Sequence, residues 1–452
     1  MVTTYAEAID FIHGRMVWKK TPTFDRMDAL LAALGNPQNT IKGIHITGTN
    51  GKGSTTAYLR DVLVASGLSV GTYTSPFITK FNERIAVNGV MISDAELLAL
   101  VQQIEPLVTA MDASEIEGGP TEFEVITAMM FLYFATHPVD VVIVEVGIGG
   151  LFDSTNVFTP ILSIVTSVGF DHMHVLGNTL TAIAQQKAAI IKPGVPVIYG
   201  GHALDEAGSV IKATAHQLRV PFWSFDDFTM DLKTSLNPWH ETFGWTLNAD
   251  VLPLVGVRQL PLVELKMLGK YQVENASLAI LAYYYLANEN IVTFNETVLL
   301  DALKNTNWPG RFETLQTNPR VVIDGAHNVA AINGLHELFD RKFTAMDKIT
   351  IIFAALADKE FAKMADELAS IPNVELIATE FAGPGKRNVV NEADVAAQVK
   401  HAIKTAPDWQ SALVTAEATA TENSFILLTG SLYFVSEVRA AFDEKKLQTL
   451  VK

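Results

Sequence analysis

The stretch Ile44-His45-Ile46-Thr47-Gly48-Thr49-Asn50-Gly51-Lys52-Gly53-Ser54 decides how the rest of the chain is read. Its first residues continue a segment, Ile41–Thr47, in which isoleucine recurs at 41, 44 and 46, which predicts a strand over 41–47. Glycines then recur at 48, 51 and 53, and a helical pattern follows from Ser54 to about Ala65. Glycines let the backbone curl so that several N–H groups point at one anion. The helix N-terminus adds its partial positive charge. Lys52 is placed to reach the β- and γ-phosphates of a nucleotide, and a hydroxyl at Ser54 or Thr55 to face Mg²⁺. Gly48, Thr49, Asn50, Gly51, Lys52, Gly53 and Ser54 are therefore the expected nucleotide-binding residues. The general pattern puts Ser or Thr directly after the lysine; here Gly53 intervenes, with the mechanics intact. The competing reading is an ordinary tight turn between strand and helix.

Outward from this loop the same rhythm repeats. Val139–Val146 is apolar on both faces, as a buried parallel strand should be. Ile161–Val168 and Val195–Tyr199 share that signature, which is the alternation of a doubly wound sheet. Residues 217–265, with Trp223, Phe225, Phe228, Trp239, Phe243 and Trp245, resemble a meander of antiparallel strands. Gly269–Asn288 reads as mainly helical. The turn-rich segment Asn305–Arg311 marks the expected domain boundary. Beyond it, strands are expected at Arg320–Asp324, Lys348–Ala354, Val374–Ala378 and Phe425–Thr429. The fold class is α/β: a P-loop-type, mainly parallel sheet in an N-terminal ATPase domain (1–308), then a smaller Rossmann-like α/β domain (309–452).

Composition sets outer limits. The chain has 452 residues, a net charge of −16 and no cysteine. That charge argues against an extended nucleic-acid or anionic-membrane surface, though not against one small anion held by local Lys and Arg. Without cysteine, disulfides, thiolate catalysis and Cys-ligated metals are excluded. The N-terminus lacks the basic start and apolar run of a signal peptide, and no apolar stretch reaches the roughly 18 residues of a membrane span. A cytoplasmic, monomeric protein is expected.

Taken singly, the remaining polar residues are ambiguous. Glu145 ends the most apolar strand, where open α/β sheets gather ligands; it also reads as a capping or salt-bridged carboxylate. His172 is either a core histidine or a ligand. Lys187 lies on a helical stretch, Thr181–Ile191, where a lone lysine is usually solvated. Asp324-Gly325-Ala326-His327-Asn328 reads as a plain turn. Lys386 and Arg387 sit in a basic loop that reads either as solvated or as a contact for a carboxylate.

Six blocks in order remove much of that ambiguity. They are Gly48–Ser54; Thr74-Ser75-Pro76 with Phe81–Ile85 and Asn88-Gly89; Glu145–Gly150 with Asp153–Asn156; Gly169–His172 with Leu176-Gly177 and Lys187; Gln272 with Asn275-Ala276; and Pro309-Gly310-Arg311 with Asp324–Asn328. Together the sequence resembles the Mur ligase superfamily and, within it, the folylpolyglutamate synthases and dihydrofolate synthases. Departures include Phe77 in place of a frequent His, Leu151-Phe152 in place of Arg-Leu, and Tyr271 in place of His. The resemblance implies an ATP-dependent ligase that adds L-glutamate to a folate through an acyl phosphate, or the sister reaction on dihydropteroate. It implies Mg²⁺ held by Ser75, Glu145 and His172, and a carbamylated Lys187. It places Asn275, Arg311 and Asp324 on the nucleotide, and His327 near the phosphate or incoming amino acid. Arg84, Phe77 and Asp153 become the expected contacts to the folate, with Glu122-Phe123-Glu124 lining the substrate loop. Lys52, Lys187 and His327 are the expected catalytic residues.

Overall fold

The computed structural model describes residues 1–17, 23–113, 119–235, 237–248, 251–252, 256–383 and 387–450. The chain divides into two compact units. The first comprises Met1–Asp231, Phe243–Val263 and Glu274–Lys304; the second comprises Leu232–Thr242, Glu264–Val273 and Asn305–Lys452. Two short segments upstream of the turn-rich stretch therefore belong with the C-terminal part.

In the first unit, eight strands form one sheet: β1 (Gly43–Thr47), β2 (Val70–Tyr73), β3 (Ile85–Val87), β4 (Val90–Met91), β5 (Val141–Glu145), β6 (Leu162–Val165), β7 (Val197–Tyr199) and β8 (Phe222–Trp223). Their spatial order is β4-β3-β2-β5-β1-β6-β7-β8. The six strands from β2 to β8 in that order run parallel, and β3 and β4 add an antiparallel hairpin at one edge. Every residue of β1, β5 and β6 is buried, which explains the unbroken apolar runs of these central strands. The helix Glu122–Thr136 is apolar nearly all round and buries every residue from Glu124 to Phe134. Such a helix can only be stable enclosed on all sides. Among the described residues, no helix is long and apolar enough to cross a membrane.

Residues 217–265 follow the expected meander in part. The strands β9 (Phe228–Leu232), β10 (Glu241–Leu247) and β11 (Gln259–Leu265) are consecutive neighbours in one separate three-stranded sheet. The first strand of the stretch is not part of it: Phe222–Trp223 extends the large sheet by pairing parallel to β7. The aromatic residues that suggested a single meander pack in different places. Trp245 stacks near Phe228 and Tyr284 in the first unit, while Trp239 meets Phe343 and Phe425 in the second.

The second unit holds β12 (Glu313–Thr317), β13 (Arg320–Asp324), β14 (Lys348–Phe353), β15 (Val374–Ala378), β16 (Lys404–Thr405) and β17 (Ser424–Thr429), ordered β12-β13-β17-β14-β15-β16. All pairs are parallel except β12 with β13. The segment Leu232–Thr242 is tied down here: Arg341 clasps the fully buried Glu241 through both terminal nitrogens, at 2.6 and 2.9 Å, and Gly269 N–H donates to the same carboxylate.

One ion pair under the first sheet is buried on both sides. Arg26 Nε meets Glu124 Oε2 at 3.2 Å, with both side chains at most 2% exposed. Glu124 also accepts the Thr121 N–H and closes the capping box of its helix. Removing one partner leaves a buried charge uncompensated. Arg26→Met should therefore cost about 3–5 kcal/mol of stability, measured by urea unfolding followed through tryptophan fluorescence. Combining it with Glu124→Leu should recover most of that loss.

Candidate active site

β1 lies at the switch point of its sheet. The chain leaves β1 towards β2 on one side, and leaves the adjacent β6 towards β7 on the other. Open α/β sheets bind ligands at the carboxyl ends of strands beside such a point. Residues 48–51 occupy that place, and the helix Lys52–Ala65 starts directly after them. Gly51 has φ +88°, and a Cβ there would lie 2.2 Å from Asn275 Oδ1, so only glycine fits.

The loop is fastened to the segment following β6. Thr49 N–H donates to Ser167 O at 3.0 Å, and Asn50 N–H to Ser167 Oγ at 2.9 Å. Thr166 Oγ1 and Ser167 Oγ both donate to Asn50 O, at 2.6 and 3.0 Å. Thr49 Oγ1 and Gly169 exchange two further bonds. Lys52 Nζ folds back onto Gly48 O at 2.9 Å, inside the curl where a phosphate would sit. Thr55 Oγ1 is buried without a hydrogen-bond partner at the first turn of the helix.

Three more strand ends open on the same edge. Glu145 is the last residue of β5, paired beside Ile46 of β1, and is almost fully buried. Ser75, just beyond β2, donates its N–H to Glu145 Oε2 at 3.2 Å. His172 follows β6 in a left-handed turn with φ +50°, its N–H held by Asp171 Oδ1. Ser75 and Glu145 are thus in direct contact, while His172 stands on the neighbouring loop. Among the described residues, no group of three or more His, Asp or Glu is gathered as a metal cluster. A carboxylate, hydroxyls and nucleotide phosphates are nevertheless the hard oxygen donors that Mg²⁺ takes, commonly with only one or two carboxylates.

Lys187 corrects the sequence reading taken on its own. It lies on the helix Leu180–Ala188 but is buried, with 2% exposure. Burial, reinforced by the positive charge of Lys52, lowers its pKa to about 7 against the opposing pull of Asp171 and Asp153. The small residues of Gly147–Gly150 make room: a Cβ at Gly150 would lie 2.7 Å from Gln186 O and 3.3 Å from Lys187 O.

Asp153 fixes this same loop. Its Oδ2 accepts Ile148 N–H at 2.9 Å, and its Oδ1 accepts Thr155 N–H and Thr155 Oγ1–H at 3.0 and 2.5 Å. Nearby, the Arg84 guanidinium sits 5.3 Å from the ring centres of both Phe77 and Phe81. Its Nε is buried without a hydrogen-bond partner. Phe123 packs beside Tyr73 and against Gly147, and His13 reaches Glu122 at 3.2 Å.

In the second unit, Asp324 ends β13 and is almost fully buried. Its two oxygens accept Phe312 N–H and Ala326 N–H, each at 2.9 Å. Burial raises its pKa, with the Arg311 charge and these bonds opposing. Arg311 lies against the same turn, since a Cβ at Gly325 would fall 2.4 Å from its Nη1. His327 donates from Nδ1 to Gly325 O at 2.9 Å. Arg387 pairs with Asp358 at 2.5 Å, and Lys386 lies outside the described residues.

The structure brings Lys52, Asn275, Ser75, Glu145, Asp153 and Lys187 to one edge of the first sheet, and Arg311, Asp324 and His327 to one edge of the second. Sequence reading gave no role to Thr166, Ser167 or the buried His45. The only signal for the first two was a small polar pair at the end of a buried strand.

Such a nucleotide loop, with a buried carboxylate and a buried lysine beside it, marks the fold as that of a P-loop-type nucleotide-binding enzyme. The Mur ligase middle domain matches residues 46–283, and the Mur ligase glutamate ligase domain matches residues 310–432. A dihydrofolate synthase/folylpolyglutamate synthase from Bacillus subtilis is 40% identical over 440 residues, covering 97% of this chain and 99% of that protein. A folylpolyglutamate synthase from Lacticaseibacillus casei is 39% identical, covering 96% and 98%. A solved FPGS–AMPPCP–folate complex superposes with a TM-score of 0.83 at 36% identity, covering 97% and 99%. The chain belongs to the Mur ligase family, in its folylpolyglutamate synthase/dihydrofolate synthase branch, and is an ATP-dependent ligase.

The buried lysine carries a stability cost with a definite sign. Its pKa is about 7 in the folded protein, against 10.5 for a lysine in water. The native state therefore binds fewer protons between these values, and the cost is complete below pH 7 and relieved as pH rises towards 10.5. Lys187→Met should abolish turnover yet stabilise the protein by about 2–5 kcal/mol at pH 7, less at pH 10. Thermal unfolding in CO₂-free buffer at both pH values checks this.

Proposed function

We propose that this ligase joins the amino group of L-glutamate to a carboxylate of a folate at the Gly48–Ser54 edge. The observation that carries the reading is the pinned loop with Lys52 folded into it, beside Glu145 and Lys187. A carboxylate oxygen of the acceptor attacks the γ-phosphorus of ATP, and ADP leaves. The resulting acyl phosphate is attacked at its carbonyl carbon by the glutamate amine, and inorganic phosphate leaves as the amide forms. Such phosphoryl transfer asks the protein for positioning and charge neutralisation more than covalent help. Lys52 supplies charge at the phosphates. Asn275 and the fastened loop hold the nucleotide in place.

Ser75, Glu145 and His172 are the proposed Mg²⁺ ligands, with the buried Thr55 hydroxyl as a further oxygen. The ion, when bound, neutralises charge on the transferring phosphoryl group. Lys187 is proposed to exist as a carbamate: its neutral amine adds CO₂ and loses one proton, giving a carboxylate-like anion in place of the cation that a protonated lysine would be. A lysine with a pKa near 7 has the neutral amine that this addition needs. A bicarbonate-soaked crystal showing an unmodified Lys187 side chain would reject it.

Arg84, Phe77 and Asp153 are proposed to meet the folate. Arg311 and Asp324 are proposed as nucleotide contacts, and His327 as a group near the phosphate or the incoming amino acid. The proposed division is an ATP-binding domain over 1–308 and a glutamate-ligase domain over 309–452, with Arg311 and Asp324 as nucleotide contacts from the latter. One chain in the cytoplasm is the proposed working form, with no nucleic acid or membrane partner; sedimentation of the active enzyme tests the monomer.

The second reading is dihydropteroate as acceptor, alone or besides folates, favoured by the dual name of the Bacillus subtilis relative. Steady-state phosphate release with tetrahydrofolate and with dihydropteroate, each with L-glutamate, separates the two. Release with neither acceptor rejects both. Lys52→Ala should lower kcat by about 10²–10³-fold with the protein still folded; unchanged turnover would reject the site.

A further inference from the structure

His45 sits in the middle of β1, registered between Val144 of β5 and Ser163 of β6, and is completely buried. The central strand of a parallel sheet is a place for Val, Ile or Leu. A histidine here lies 5.0 Å from the Phe158 ring, and its Nδ1 has no hydrogen-bond partner. An apolar residue would avoid that unsatisfied nitrogen. The other ring nitrogen is engaged: Nε2 lies 2.9 Å from Thr155 Oγ1. Thr155 Oγ1 lies 2.5 Å from Asp153 Oδ1.

The directions of these bonds follow from donor counting. Asp153 already accepts two backbone N–H groups, and the Thr155 hydroxyl donates to its Oδ1. The single Thr155 hydroxyl proton is thereby used. Thr155 Oγ1 can then only accept from His45, which must carry its proton on Nε2. Burial and the charge of Lys192 hold the ring neutral, with a pKa of about 3. In the opposite tautomer the hydroxyl would turn towards His45 and abandon the carboxylate.

We propose that His45 is a positioning residue for Asp153: from the core of the sheet it fixes the Thr155 hydroxyl, which fixes the carboxylate beside Lys187 that meets the acceptor. This rests on the proposed contact between Asp153 and the folate. The relay ties the acceptor side to β1, the strand that launches the phosphate loop. Thr47, two residues on, makes a second tie by donating to Gly149 O at 2.6 Å.

The test is steady-state kinetics with tetrahydrofolate, ATP and L-glutamate. Thr155→Val removes the hydroxyl at constant shape and should raise the acceptor KM about tenfold while leaving the KM for ATP unchanged. Thr155→Ser restores the hydroxyl and should return the acceptor KM to within about twofold of the parent. His45→Phe should match Thr155→Val, and the double variant should be no worse than either single one, as expected of residues acting in series. If His45→Phe does not fold, the Val and Ser pair at 155 decides. Equal behaviour of Thr155→Val and Thr155→Ser, or a loss falling equally on ATP, overturns the relay. Asp153→Asn separates the two layers. If it raises the acceptor KM while Thr155→Val does not, only the relay fails. If it leaves the acceptor KM unchanged, the folate contact fails and the relay with it.

Discussion

The fastening of Gly48–Asn50 to Thr166–Gly169 is the constraint on which the site depends. A glycine-rich turn has many conformations, and only a curled one points its N–H groups at a single anion. Here the turn is held by bonds to the loop leaving the neighbouring strand, so its shape is set before any ligand arrives. Such preorganisation is what phosphoryl transfer asks of a protein, because charge neutralisation works best with groups already in place. The fastening exists because β1 and β6 are adjacent and their loops diverge, which is a property of strand order.

From that arrangement the rest follows by burial. The parallel strands end on one edge, and the last residues of β1, β2, β5, β6 and β7 are buried. Glu145 at a strand end and Lys187 on the helix Leu180–Ala188 are thus ionisable groups in places where charge is costly. Neither is explained by stability, since an apolar residue would serve the core better. Lys187 has a depressed pKa next to Lys52, and perturbed groups of this kind gather at functional sites. The second unit repeats the design more quietly: Asp324 closes its own turn and holds Arg311 against it.

Much of this was legible in the sequence. Strands β13 and β15 run over the expected residues, and the central strands of the first sheet differ only at their ends. Those runs were readable because buried parallel strands are apolar on both faces. The short edge strands β3, β4 and β16 were not, since two or three residues carry no period. The segment 217–265 was legible only in part. Its three consecutive strands form the expected meander, but Phe222–Trp223 joins the large sheet and the aromatic residues are divided between both units, because aromatic content says nothing about partners. At the candidate site, the glycine spacing pointed to the loop, and the ordered blocks pointed to Glu145, Ser75 and His172 as candidates. The burial of Lys187 could not be read from a helix of mixed composition, and the Thr166-Ser167 fastening depends on strand order, which no local pattern contains. His45 passed as part of a strand because its partner, Thr155, lies 110 positions away.

The central claim is that this edge of the sheet activates a carboxylate by phosphorylation. The most direct measurement labels the acceptor carboxylate with ¹⁸O, runs the ligation with ATP and L-glutamate, and analyses the released phosphate by mass spectrometry. The account predicts one ¹⁸O atom transferred to each phosphate, because the acyl phosphate breaks at the carbonyl carbon. Unlabelled phosphate, or label carried into AMP, would contradict it.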